Sequence, residues 1–403
     1  MIYLIALTLL FAPTYAIKLD IFGLPANFLM LWVFSFGLFF LLYLFSKKQL
    51  PDFFTFVKNL DKKVLILTGL FFLSSIVSLF IKGLDQKKLG QFLVLFLQPI
   101  SLFFIAGFMF HKNPKAKPLL LNTCYLLLGL MGLYAIIQYF TLIGLPNAYW
   151  GNANEPKRAL SFFIHPNFYA LFSAPLLALL IPDLASEIKD KGLSLPTGKA
   201  GIGDSKLWAW IIGALGLLLS MSRAGWLGLA AAVLVHLIVA ADKKIRKMIF
   251  AAVIIIVLLV VSIPVLRYRV ILPLYGEKSA VSRLSLWHTG ITAIKESPIF
   301  GLGLTGFSQN WDRLNKDQGL TETHNFPHNI FLDLWVETGS IGLISLMGLI
   351  GLYIYRGLKN RRDLFALGVG LFLITLMLQG QIDNPYFKND LAIVFWIVLA
   401  LGI

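Results

Sequence analysis

Long apolar runs, separated by short polar stretches, recur along almost the whole chain. A helix needs about 20 apolar residues to cross a bilayer, with roughly 17–25 usual. Twelve runs approach that length, at 2–17, 26–45, 64–81, 89–110, 119–143, 168–181, 207–221, 224–241, 248–266, 341–355, 364–378 and 391–403. The pattern predicts an all-α polytopic membrane protein with about twelve transmembrane helices. Runs 207–221 and 224–241 are together too long for one crossing, and Ser222, Arg223 and Gly225 mark a turn between them. The first run ends on Thr14, Tyr15 and Ala16, like a signal-peptide cleavage site. No basic leader precedes it, so it is expected to stay as a membrane helix. Gln98-Pro99 and Pro175 are points where a spanning helix could break.

Composition agrees. Apolar residues make up 58% of the 403 and charged ones 14%, whereas about a quarter is charged in an average soluble protein. That much apolar surface needs lipid as its solvent. A single cysteine, Cys124, excludes a disulfide framework. The net charge of +15 could suggest nucleic acid, but no basic face or base-stacking module accompanies it, so no nucleic-acid partner is expected. The charge instead follows the loops. With both termini inside, the short inner loops hold 20 Lys and Arg, the short outer loops 8 and the long 267–340 loop 7. Positive charge favours the cytoplasmic side and contact with anionic membrane lipids. The expected organisation is therefore nine spans in 1–266, an outer, partly helical loop at 267–340, and three spans in 341–403. A stretch of small residues around 195–201 reads as a plain connector.

As delimited, the spans contain no Asp, Glu, Lys or Arg. Coupled transporters usually keep ionisable groups at mid-membrane because those groups carry the ion or proton. A flippase or transporter is thus the weaker, non-enzymatic alternative; His236 is the only titratable group near the middle of a span.

Polar chemistry gathers at the outer ends. Arg158 precedes His165, Pro166 and Asn167; Ser222 and Arg223 form a minimal turn; Ser282 and Arg283 open a helical stretch that includes Trp287; His328 and Asn329 lead into the tenth run. Any one of these arginines could simply snorkel to the headgroups. Several converging on one place would suit phosphate oxygens, because the guanidinium presents a planar fork of donors. His328 follows Pro327 and is expected in the first turn of a helix, where the dipole favours a neutral ring able to accept a proton. Its bland reading is a capping or interfacial histidine. Gly301, Gly303 and Gly306 match G-x-G-x-x-G, but no strand precedes them, so a backbone turn is expected. Glu322, His324 and His328 could suggest a metal site, but Pro327 interrupts the spacing and no metal or other cofactor is expected.

The ordered set resembles the O-antigen ligase and polymerase superfamily of bacterial membrane glycosyltransferases. It comprises Arg158 with His165-Pro166-Asn167, Ser222-Arg223-Ala224-Gly225, Ser282-Arg283 through Trp287 to Ser297-Pro298 and Gly301-Leu302-Gly303, and His328-Asn329 with Glu337-Thr338-Gly339 and Ile341-Gly342. Asp383-Asn384-Pro385 also fits, and the likeness covers roughly 150–400. The resemblance implies a GT-C-type fold in the bacterial inner membrane, with the active site facing the periplasm under the long loop. It implies inverting, metal-independent transfer of a glycan from undecaprenyl diphosphate to an acceptor hydroxyl. The acceptor is lipid A–core in a ligase and a growing glycan in a polymerase of O-antigen or exopolysaccharide; the ligase is the favoured expectation. By position, Arg223 and Arg283 match the diphosphate-binding arginines, Arg158 a further one, and His328 the catalytic histidine.

Overall fold

The computed structural model describes residues 1–21, 24–146, 157–191, 202–240, 247 and 278–403. Among them, the apolar runs are helices. Seven are long and apolar enough to cross a membrane: Phe28–Ser46, Lys62–Phe80, Gln86–Lys112, Ala116–Thr141, Pro166–Asp190, Arg223–Ala240 and Ile330–Lys359. Four shorter apolar helices, Ile2–Tyr15, Ser205–Leu219, Leu364–Gln379 and Asn389–Leu401, complete the set. Eleven of the twelve expected runs therefore fall on helices. The run at 248–266, the connector at 195–201 and the start of the long loop at 267–277 lie outside the described residues.

Polar residues between the runs set where helices begin. Asn27, Asp61, Asp85, Asn329 and Asp363 each accept first-turn N–H groups through their side chains, satisfying donors that a helix start leaves orphaned. Large apolar side chains such as Phe34, Leu42, Phe140, Leu227 and Ile344 face outward. A surface so apolar is suited to lipid. Two departures concern regular structure. The expected loop 46–63 carries a helix, Leu50–Asn59, which starts on Pro51 and buries Phe56. A short antiparallel hairpin pairs Lys18–Ile21 with Leu24–Asn27.

Neither proline breaks its helix. A π-helical turn at Leu93–Leu97 precedes Gln98-Pro99 and the chain continues helically to Lys112. Pro175 lies within the continuous Pro166–Lys191 helix.

Side-chain contacts sort the connections into two ends. At one, Lys112 pairs with Asp52, Lys117 donates to the carbonyls of Leu401 and Ile403, and Arg356 pairs with Asp61. At the other, Arg158 reaches Ser220, Arg283 reaches Ile382, and Lys388 reaches Tyr15. The second end bears the polar constellation.

The Ile330–Lys359 helix is interrupted at Gly339, where φ is +71°. A Cβ there would meet the Ile299 carbonyl oxygen at 2.2 Å, so only glycine fits. The break separates the 330–338 segment, which packs on the Lys278–Glu296 region, from the apolar part that follows. The G-x-G-x-x-G segment docks against it: Leu302 N–H donates to the Val336 carbonyl and Ser340 N–H to Ile299. Buried Glu337 accepts from Thr305 N–H at 2.7 Å and from Gln91 Nε2 at 3.0 Å. The glycine motif is thus a turn, as its lack of a preceding strand predicted, and Glu337 holds it.

Candidate active site

A cavity of about 910 Å³ opens at the polar end. Arg158, His165, Asn167 and Phe168 wall it from the Pro166 helix start, Ser282, Arg283 and Leu286 from the Lys278–Glu296 helix, and Leu320 to Glu322, His324 and His328 from the segment beyond. Asp383 completes the wall from the turn before the last helix. Of the four site residues expected from sequence, Arg158, Arg283 and His328 line this cavity. Arg223 does not; it opens the Arg223–Ala240 helix alongside.

Arg158 is fixed by two hydrogen bonds, from Nε to the Ser220 carbonyl at 3.0 Å and from a terminal nitrogen to Asn167 Oδ1 at 2.7 Å. Arg283 Nε donates to the Ile382 carbonyl at 2.7 Å. Burial, and then the charges of Arg223 and Arg283, lower the pKa of Arg158. Arg223 and Arg283 are therefore both near enough to Arg158 to oppose its charge. Such convergence is unfavourable by itself and is relieved by a polyanion.

His328 departs from its expected position. It does not lie in the first helical turn; Asn329 is the N-cap and the helix begins at Ile330. The cause is local chemistry, because the Asn329 side chain accepts from Phe331 and Leu332 N–H and ends the non-helical stretch there. His328 instead precedes the cap with φ of +57°, a left-handed conformation that costs a histidine roughly 1 kcal/mol or more. Its Nδ1 lies 3.2 Å from Asp383 Oδ1. The histidine side chain is 33% exposed and the aspartate 8%, so the ring reaches the cavity while its partner stays hidden. An ionised carboxylate only accepts, so Nδ1 carries the proton, and in the neutral ring Nε2 is the atom with the lone pair.

Burial alone would raise the pKa of Asp383; the hydrogen bond and charge of His328, the Asn384 N–H and the charge of Arg283 outweigh it, and the net shift is downward. Asp383 thus remains ionised. The turn that carries it is clamped to the histidine segment: Gly380 O accepts from Ile330 N–H at 2.7 Å and Gln381 O from Asn329 Nδ2 at 2.9 Å.

His165 has a different character. Burial, then the charge of Arg158, pushes its pKa down to about 4. Its Nδ1 accepts from the Asn167 N–H at 3.1 Å. It is a neutral, structurally engaged ring. The His324 ring meets that of His328 edge-on at 5.6 Å and packs on Trp311. Glu322, His324 and His328 share the wall, but His328 Nδ1 is turned to Asp383, and no group of three side chains suited to a metal occurs among the described residues.

Sequence reasoning missed several buried charges, Lys88, Asp333 and Asp390 among them. Lys388, counted there among loop cations, is half-buried, with Nζ over the ring of Phe168, which lines the cavity, and 3.2 Å from the Tyr15 hydroxyl. Asp333 is fully buried one turn beyond Asn329. These residues lie outside the delimited apolar runs, so the lack of charge within those runs gave no sign of them.

Comparison with known proteins matches residues 208–347 to a family model described as O-Antigen ligase. An exopolysaccharide production protein, ExoQ, of Rhizobium meliloti is 31% identical over 222 residues, 48% of this chain and 51% of that protein. A ComP-specific O-oligosaccharyltransferase of Acinetobacter baylyi is 29% identical over 183 residues, 42% of this chain and 33% of that protein. An uncharacterized protein of Haemophilus influenzae is 35% identical over 82 residues, 20% of this chain and 21% of that protein. The chain spans about half or less of the length of these curated relatives. The matches bear out the resemblance to the O-antigen ligase superfamily.

Proposed function

From the O-antigen ligase signature in the second half of the chain, we propose that this protein transfers a glycan from undecaprenyl diphosphate to an acceptor hydroxyl at the periplasmic face of the inner membrane. The observation that carries the reading is the meeting, in one cavity, of a His328–Asp383 pair with Arg158 and Arg283, beside Arg223. His328 Nε2 takes the acceptor's proton as its oxygen attacks the anomeric carbon. The bond to the diphosphate breaks with inversion, and undecaprenyl diphosphate leaves. The arginines stabilise the charge that grows on the leaving diphosphate, the task for which preorganised donors are most effective. Base and cations together meet the electrostatic needs of the step without a divalent ion. Closure of the 320–324 wall and the Lys278–Glu296 helix over bound substrates would exclude water and favour transfer over hydrolysis.

Ligase action on lipid A–core is the preferred form. Similarity to the exopolysaccharide production protein favours a second one, polymerisation onto a growing glycan. Purified protein incubated with lipid-linked glycan and either acceptor separates them by the product formed. His328→Asn should retain fold and donor binding but lose about 10²–10⁴-fold in turnover, the usual worth of a general base. Near-normal transfer by that variant, measured with EDTA present, would remove His328 from the mechanism.

A further inference from the structure

Asp333 is a buried ionisable group that this transfer scheme leaves unused. It is fully buried. Its Oδ1 receives a long hydrogen bond, 3.5 Å, from the Asn329 N–H, and the carboxylate also faces the N–H of His328. Oδ2 has no hydrogen-bond partner among the described residues. Burying a carboxyl group with half its acceptor capacity unmet is costly. Helix capping does not account for it, because Asn329 already takes the first-turn N–H groups of Phe331 and Leu332. An apolar residue would fill the same space without that cost. What the carboxylate holds is the bend at 328–329, where His328 sits in the left-handed region.

We propose that Asp333 is a positioning residue for His328. It accepts the N–H of Asn329, with the N–H of His328 beside it, and so fixes the left-handed bend that presents the ring to Asp383. The histidine is thereby held from two directions: at the ring by Asp383 and at the backbone by Asp333. The proposal rests on the reading of His328 as the base. It assigns Asp333 an acceptor's role, for which its charge is dispensable, so asparagine should serve and alanine should not.

The test compares Asp333→Asn, Asp333→Ala and His328→Asn as full-length purified proteins, reading melting temperature, kcat, and KM for the lipid-linked donor. Asp333→Asn should keep kcat within about three-fold of wild type. Asp333→Ala should lose at least about ten-fold in kcat with donor KM little changed, as displacement of a reacting group by a fraction of an ångström entails. A lower melting temperature with wild-type kcat in Asp333→Ala would overturn the proposal and leave only a structural role. If Asp333→Ala does not fold, Asp333→Asn decides: folded protein with kcat down more than about ten-fold overturns the acceptor role. An active His328→Asn would defeat the base assignment itself, whereas an inactive one with active Asp333→Ala defeats only the positioning claim.

Discussion

His328 Nδ1 and Asp383 Oδ1 lie 3.2 Å apart, although 55 residues separate them in the chain. The aspartate hangs from the turn before the last helix and the histidine from the segment ahead of Ile330, and a backbone hydrogen bond and one from the Asn329 side chain join those segments. The pair therefore depends on the docking of whole elements rather than on two flexible side chains. Its consequence is a fixed tautomer with Nε2 available to the cavity.

Asp383→Asn should reverse that consequence. The amide can turn its N–H toward Nδ1, which moves the ring proton to Nε2 and removes the acceptor. Turnover should fall about 10²-fold or more with donor affinity nearly intact. Steady-state kinetics with purified donor would show it, and wild-type kcat in Asp383→Asn would mean that the pair has no part in proton transfer.

Arg283→Lys should keep charge yet lose the fork. A charge-assisted hydrogen bond is worth roughly 1.5–3 kcal/mol, so donor binding should weaken by about ten- to a hundred-fold. Arg158→Lys should behave similarly and also release Asn167, its present partner. Binding of undecaprenyl diphosphate by calorimetry in detergent checks both. Unchanged affinity in both variants would place the diphosphate elsewhere.

His165 supplies a pH prediction. Its folded pKa is pushed down to about 4 by burial and Arg158, from the ordinary 6.5. Between those values the unfolded chain binds the proton and the folded protein does not, so stability should decline as pH falls through this window. His165→Gln should flatten the dependence of melting temperature on pH from about 6.5 to 4. A melting temperature as pH-dependent in His165→Gln as in wild type would show that His165 is not the group responsible.

Topology is checked by labelling. A cysteine at Lys316, on the segment near the cavity, should react with an impermeant reagent from the periplasmic side. One at Lys115, which follows the end of helix Gln86–Lys112, should be protected in intact cells. The opposite pattern would put the site in the cytoplasm.

The sequence alone determined the apolar helices and most of their boundaries, because lipid leaves a backbone no partner but itself and demands runs of a given length. It also marked Arg158, Arg283 and His328, since cations and an imidazole ahead of apolar runs are conspicuous against such a background. Only the tertiary structure placed His328 before the cap rather than in the helix, and paired it with Asp383. It alone showed that Glu337 supports the glycine turn, and that Asp333 is buried. The physical reason is one of range. Apolar length and helix capping are local properties that adjacent residues settle between themselves. The meeting of residues 158, 283, 328 and 383 depends on how several helices pack, and a periodic apolar pattern that faces lipid on many sides carries little information about which faces turn toward one another.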